Sequence, residues 1–207
     1  MLGQSPAGSS VGVLSADDKF QVYRQETGLP AQAVQTMFED RQHTFWLGTS
    51  RGLCRWSPGS QADCLNNLSV FSLVEEANGD LLIGDNVRQT TLRLSGGTLK
   101  PAITQPGFAS VFPKVTLRDH DGNIWLGTLA QGLLHLSHGR VERFTRRDGL
   151  SGDTVNALAE DREGDLWVGT VRGIDRFRDP RVVHVNSLDG LSSDVVTAVY
   201  ADRKSVV

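Results

Sequence analysis

Short runs of alternating apolar and polar residues, each closed by a Gly- or Asp-bearing turn, recur along most of this chain. The stretch from Val141 to Arg181, VERFTRRDGLSGDTVNALAEDREGDLWVGTVRGIDRFRDPR, holds one full unit. It predicts a strand at Val141–Thr145, a turn at Asp148-Gly149, an alternating strand at Val155–Glu160 and a tight turn from Asp161 to Gly164. A short strand at Leu166–Thr170, a turn at Gly173 and a last strand at Ile174–Phe177 follow. Val155, Ala157 and Ala159 recur with the two-residue period of a strand, not the 3.6-residue period of a helix. Short strands joined by Gly-bearing turns predict a sheet built from hairpins.

The unit is copied. TGLPAQAVQTMFEDRQHTFWLGTSRGLCRW, from Thr27, aligns with DGLSGDTVNALAEDREGDLWVGTVRGIDRF almost without a gap. VTLRDHDGNIWLGTLAQGLLHL, from Val115, repeats the pattern with one extra residue before Gly132, and FSLVEEANGDLLIGD, from Phe71, puts Leu82 where the others have Trp. A fifth copy starts at Val182 and stops where Gly and Trp should follow. The predicted units are residues 27–56, 65–94, 111–136 and 141–177, with the start of another at 182–202. Residues 11–23 match the two outer strands of a preceding unit, joined by a turn at Ala16–Lys19. Residues 1–10 form a loose leading segment and 203–207 an off-pattern end.

Trp46, Leu82, Trp125 and Trp167 lie 36, 43 and 42 residues apart, and each follows an acid by six positions: Asp40, Glu76, Asp119 and Asp161. A period of about 40–45 residues with four strands per unit is the mark of a β-propeller, whose blades bury their faces against one another. The expected fold is therefore all-β: a β-propeller of four-stranded antiparallel blades, as an incomplete fragment of about four blades.

The recurring GLP or DGL, the turn acid, the IWLGT and LWVGT strands and the following Gly-hydrophobic pair resemble the two-component regulator propeller repeat. The resemblance covers about residues 11–202. Departures are Leu82 for Trp, Asp85 for Thr, and Gln42-His43 where the turn Gly is expected. The resemblance implies a sensor module in the periplasmic or extracellular part of a bacterial signalling protein. It implies as partners the remaining blades and the signalling domains of that parent, a histidine kinase among them.

Composition narrows the partners. A net charge of -3 on 207 residues leaves no basic stripe for nucleic acid. No apolar run nears the roughly 18 residues of a membrane helix, and MLGQSPAGSS lacks the charged and apolar regions of a secretory signal.

Repetition separates packing from chemistry, since a packing residue is needed once per blade and a reacting group once per site. Trp46, Trp125 and Trp167, with Leu82 in their register, are expected to pack between blades, while Gly48, Gly127 and Gly169 let neighbouring backbone approach. The paired acids recur at tight turns and are expected to close them rather than to act as acid and base. No nucleophile elbow, phosphate loop, CxxC pair or metal-ligand spacing is present, so neither cofactor nor metal is expected. Cys54 and Cys64, across the connection between the first two full units, would form a disulfide in an exported domain and otherwise are two unrelated thiols.

Specificity must come from positions that vary between copies on the face where inner strands begin. Arg51, Gln131 and Arg172 fill equivalent slots between second and third strands, and Arg147, Asp148, Asp153 and Asn156 lie at the entry to one inner strand. These are the expected contacts for a saccharide or other small ligand. The leading functional expectation is a non-enzymatic sensor; the alternatives are a protein-interaction platform and a propeller lyase or glycosidase.

Overall fold

The fold is that of a computed structural model describing residues 10–14, 19–108, 110–178, 181–185, 187 and 190–199. Residues 1–9 of the expected leading segment 1–10, residues 200–202 of the expected unit 182–202, the end at 203–207 and most of the turn at Ala16–Lys19 lie outside the described residues.

Strands β1 (Val11–Leu14) and β2 (Phe20–Tyr23) pair as a two-stranded sheet. Four antiparallel four-stranded sheets follow, each laid out in chain order. The first holds β3 (Val34–Glu39), β4 (Phe45–Thr49), β5 (Gly52–Trp56) and β6 (Asp63–Asn66). The second holds β7 (Val70–Glu75), β8 (Leu81–Asp85), β9 (Thr90–Ser95) and β10 (Thr98–Pro101). The third holds β11 (Pro113–Arg118), β12 (Ile124–Thr128), β13 (Leu133–Ser137) and β14 (Arg140–Phe144). The fourth holds β15 (Val155–Glu160), β16 (Leu166–Thr170), β17 (Gly173–Arg178) and β18 (Arg181–Val185). These are propeller blades. Their inner strands β3, β7, β11 and β15 pack in succession as an open array.

The blade boundaries differ from the sequence reading: β6, which overlaps the start of the expected unit 65–94, closes the first blade, and β10, beyond that unit's end, closes the second. The strand placed at the head of the 141–177 unit is β14, and it pairs with β13 as the outermost strand of the third blade. Val182 likewise belongs to β18, which pairs with β17 and closes the fourth blade instead of opening a fifth. Only the segment 190–199 reaches the place of a following inner strand, and it carries no strand of its own. A sequence period sets the length of a repeat but not its phase. The phase is set by which hairpin edge each strand finds.

The glycines of the second strands mark where blades meet. A Cβ on Gly48 would lie 2.7 Å from Val70 Cγ1, and one on Gly127 would lie 2.5 Å from Val155 Cγ1. On Gly84 it would meet the Pro113 carbonyl oxygen at 2.5 Å, and on Gly169 it would meet Val196 Cγ1 at 2.6 Å. Each blade thus offers a shallow socket to the first inner residue of the next, and each inner strand carries a register shift just past that residue. Val196 fills the fourth socket, and its N–H donates to the Thr170 carbonyl at 2.9 Å.

Three of the tight turns between first and second strands carry glycine at positive φ: Gly79 at 88°, Gly122 at 86° and Gly164 at 83°. The first blade has His43 there at φ 61°, so the missing glycine changes the residue and not the turn. On the open face of that blade, Val11 of β1 and Tyr23 of β2 pack with Leu47 on β4 and with Cys54 and Trp56 on β5. Tyr23 meets Trp56 edge-on at 5.0 Å, while Met37 on the inner strand stays 49% exposed. Cys54 and Cys64 face each other on β5 and β6 inside the first blade, not across two blades, and are joined by a disulfide with Cα atoms 4.0 Å apart.

Candidate functional site

The turn acids and the second-strand indoles form one recurring unit. Trp46 Nε1 donates to Asp40 Oδ2 at 2.8 Å, Trp125 Nε1 to Asp119 Oδ2 at 2.8 Å and Trp167 Nε1 to Asp161 Oδ2 at 2.7 Å. The other carboxylate oxygen accepts turn amides: from Gln42 and Thr44 on Asp40, from Asn123 on Asp119, and from Glu163 and Asp165 on Asp161. Burial pushes Asp40 and Asp161 upward, yet the indole and amide donors outweigh it and hold both carboxyls below the ordinary aspartate value. The six-residue interval is plain in the sequence. That it closes into a bond follows only from the hairpin, which sets the turn acid beside the ring of the strand that follows it.

The second blade departs from this unit. Leu82 is fully buried, and Glu76 turns instead to Arg93 on the third strand, whose Nη2 donates to Oε1 at 2.8 Å. Arg93 stands directly across from Leu82; the same cross-strand position holds Arg55, His135 and Arg176 in the other blades. Arg176 lies over the Trp167 ring at 5.2 Å, and His135 stacks on Trp125 at 4.0 Å. No sequence signal singled out this basic series.

Pairing of Val34 with Thr49 and of Val155 with Thr170 puts the start of each inner strand beside the end of the second. All seven expected contact residues therefore lie on one face. Thr49, Thr128 and Thr170 hold the turns there, their hydroxyls accepting the amides of Arg51, Gln131 and Arg172 at 3.2, 2.8 and 3.0 Å. The side chains of Arg51, Arg147 and Arg172 are exposed and make no hydrogen bond or ion pair among the described residues.

The other four are engaged in holding the frame. Gln131 Nε2 donates to the Ser110 carbonyl at 3.1 Å. Asp148 caps the one-turn 3-10 segment Arg146–Asp148 by accepting from Thr145 N and Oγ1 at 3.0 and 2.8 Å, which holds its carboxyl below the ordinary value. Asp153 accepts from Arg146 N at 2.8 Å. Asn156 bridges blades, donating to the Val196 carbonyl and accepting from Lys114 Nζ, both at 2.8 Å. Beneath this rim the sequence reading missed Asp175, fully buried, whose carboxylate takes both the amide and hydroxyl of Ser151.

The opposite face is stitched across blades. Arg41 donates its amide to Glu75 Oε2 at 3.2 Å and its Nη1 to the Ala77 carbonyl at 3.1 Å. His120 repeats the stitch between the third and fourth blades, two interfaces further on. Its amide meets Glu160 Oε2 at 2.9 Å and its ring Nδ1 meets Glu160 Oε1, while Nε2 lies 3.2 Å from Asp121 Oδ1. The bond to Glu160, then the charges of Glu160 and Asp121, raise the pKa of His120. Grooves run between successive blades: 340 Å³ beside Trp46 and Arg55, 410 Å³ beside Glu76 and Arg93, and 630 Å³ beside Trp125 and His135. No group of His, Cys, Asp and Glu among the described residues could hold a metal ion.

A family model described as two component regulator propeller matches residues 28–51 and 149–172, which correspond position by position from the glycine before the inner strand to the arginine after the second. Among solved structures, the extracellular domain attributed to a hybrid two component system of B. thetaiotaomicron superposes with a TM-score of 0.75 at 19% identity, over 94% of this chain and 31% of that one. Virginiamycin B lyase of Staphylococcus aureus gives 0.68 at 14% identity, over 86% and 62% of the two chains. PorZ, a surface component of the type-IX secretion system of Porphyromonas gingivalis, gives 0.62 at 14%, over 95% and 34%. At these identities the likeness is one of fold, and this chain spans about a third of the first and third of these structures. No curated protein matches the chain.

Proposed function

Because the chain carries two component regulator propeller repeats, we propose that it is a non-catalytic sensor module of a bacterial signalling protein, passing ligand occupancy to an output domain outside this chain. The observation that carries the reading is the set of exposed guanidinium groups of Arg51, Arg147 and Arg172, without a hydrogen bond or ion pair among the described residues, on a rim whose backbone is otherwise bonded in place. Guanidinium groups give directional hydrogen bonds to hydroxylated and anionic molecules, so a saccharide or similar small ligand fits the rim. Asn156, held between Lys114 and Val196, joins the third and fourth blades to the segment 190–199 at that rim and offers a route by which occupancy at one blade loads the next.

A periplasmic or extracellular location is supported by the extracellular neighbours and by the Cys54–Cys64 disulfide, which an oxidising compartment preserves. The test is calorimetric titration of the chain with neutral and uronic-acid oligosaccharides, repeated with Arg51→Ala and Arg172→Ala. A bound sugar whose affinity falls about tenfold in a folded Ala variant supports the reading, that being the order of one charge-assisted hydrogen bond. Unchanged affinity removes the arginine rim from the site, and turnover of any sugar would place the chain with propeller enzymes instead.

A further inference from the structure

The groove between the third and fourth blades differs from the other two in a way that does not depend on the rim. At two repeat positions where arginine recurs, this groove has histidine. The residue after the turn acid is Arg41 in the first blade and Arg162 in the fourth but His120 in the third. The residue across from the second-strand ring is Arg55, Arg93 and Arg176 elsewhere but His135 here. Both histidines line the same 630 Å³ space.

One wall of that space is aromatic. Phe144 and Phe177 meet edge-on at 5.3 Å, and Trp125 lies 5.9 Å from Phe177. His135 Nε2 points nowhere satisfied: it is buried and has no hydrogen-bond partner among the described residues. The mouth is anionic. Glu160 and Asp121 flank the exposed His120 ring, and Asp119 and Asp148 also line the space. The two arginines at its margin are drawn elsewhere, Arg143 over the Phe108 ring at 4.7 Å and Arg178 toward Asp165 at 3.6 Å. His120 thus sits between two carboxylates as the groove's own weak cation.

We propose that this inter-blade groove binds an organic cation, an ammonium group on an aromatic or alicyclic body, with the body against Trp125, Phe144 and Phe177 and the ammonium between Glu160 and Asp121 in place of the His120 ring. Aromatic faces and carboxylates together attract a cation more than either does alone. The buried His135 Nε2 then gains a hydrogen-bond partner, or a water held by the ligand. The groups acting on His120 are Glu160 on β15 and Asp119 and Asp121 on its own turn, all anionic, so its protonated ring competes with the ligand. Binding therefore strengthens as pH rises through the raised value of His120.

The probe is phenethylamine, titrated into the 207-residue chain and followed by Trp fluorescence and calorimetry, with 2-phenylethanol and 3-phenylpropionate as neutral and anionic bodies of the same size. Saturable binding of the amine, about tenfold weaker for the alcohol and absent for the acid, is expected from the loss of one charge-assisted contact. Glu160→Gln should weaken the amine about tenfold, and Asp121→Asn, which does not bridge blades and leaves the fold untouched, should weaken it severalfold. His120→Ala should bind the amine more tightly at about pH 6 and lose the rise in affinity that wild type shows as pH climbs above the ordinary histidine value of about 6.5. Equal binding of amine and alcohol, wild-type affinity in Asp121→Asn, or weaker binding in His120→Ala would each overturn the proposal.

Discussion

Trp167 donates its indole N–H to Asp161 at 2.7 Å, and Trp125 does the same to Asp119 and Trp46 to Asp40. One bond therefore ties the packing surface of a blade to the turn that closes its inner hairpin. Trp167→Phe keeps most of the packing and removes the bond, which should cost about 1–2 kcal/mol in urea unfolding. Asp161→Ala strips the indole bond and two amide bonds together and should cost more than Trp167→Phe. Equal losses would show that the turn amides find water at no cost.

The same acids set an acid limit on stability. Asp40 and Asp161 have carboxyls held below their unfolded values, so their contribution is present above the unfolded pKa of about 3.9 and is lost as pH falls through the folded values. Unfolding midpoints followed downward from about pH 5 should fall for wild type, and Asp161→Asn should flatten part of that fall.

His43 occupies the glycine position of the first tight turn at φ 61°, and its ring reaches Glu39 at 2.7 Å in an exposed pair. The pair is worth little in solvent, whereas a side chain in the left-handed region is strained. His43→Gly should raise stability by about 0.5–1 kcal/mol in chemical denaturation. A loss of that size would assign the turn to the Glu39 contact instead.

Leu82 looks like a lost tryptophan, but the space is already filled. It is fully buried among Ile103, Val111 and Ile124, and Glu76 is committed to Arg93. Leu82→Trp should destabilise by about 1–3 kcal/mol through overpacking, read as a lower melting temperature, despite restoring the repeat. A stabilised variant would mean that the 410 Å³ groove beside Arg93 can take the ring.

The Cys54–Cys64 bridge closes a short hairpin loop in the first blade. Its removal in the double Ser variant should cost about 2–3 kcal/mol on loop-entropy grounds. Hydrogen exchange should then rise first in β5 and β6, next to the face that β1 and β2 only partly cover.

By itself the sequence determined the pattern of short strands, the tight turns between them and the period, because each rests on chemistry within a few residues. Alternation decides which side of a pleat is apolar, and a positive φ asks for glycine wherever the rest of the chain lies. The phase of the blades was not legible, since β14 and β18 look alike whether they open one sheet or close another, and only the free edge of β13 or β17 decides. Nor were the partners of the acids. Asp161 reads as a turn residue, Glu76 as another, and Glu160 as the residue before Asp161; that one holds an indole, one an arginine and one the preceding blade's histidine is decided by groups brought within about 3 Å through folding. The rim shows the same division: variation between copies picked out its seven residues, but of these packing left Arg51, Arg147 and Arg172 exposed and without a side-chain bond among the described residues.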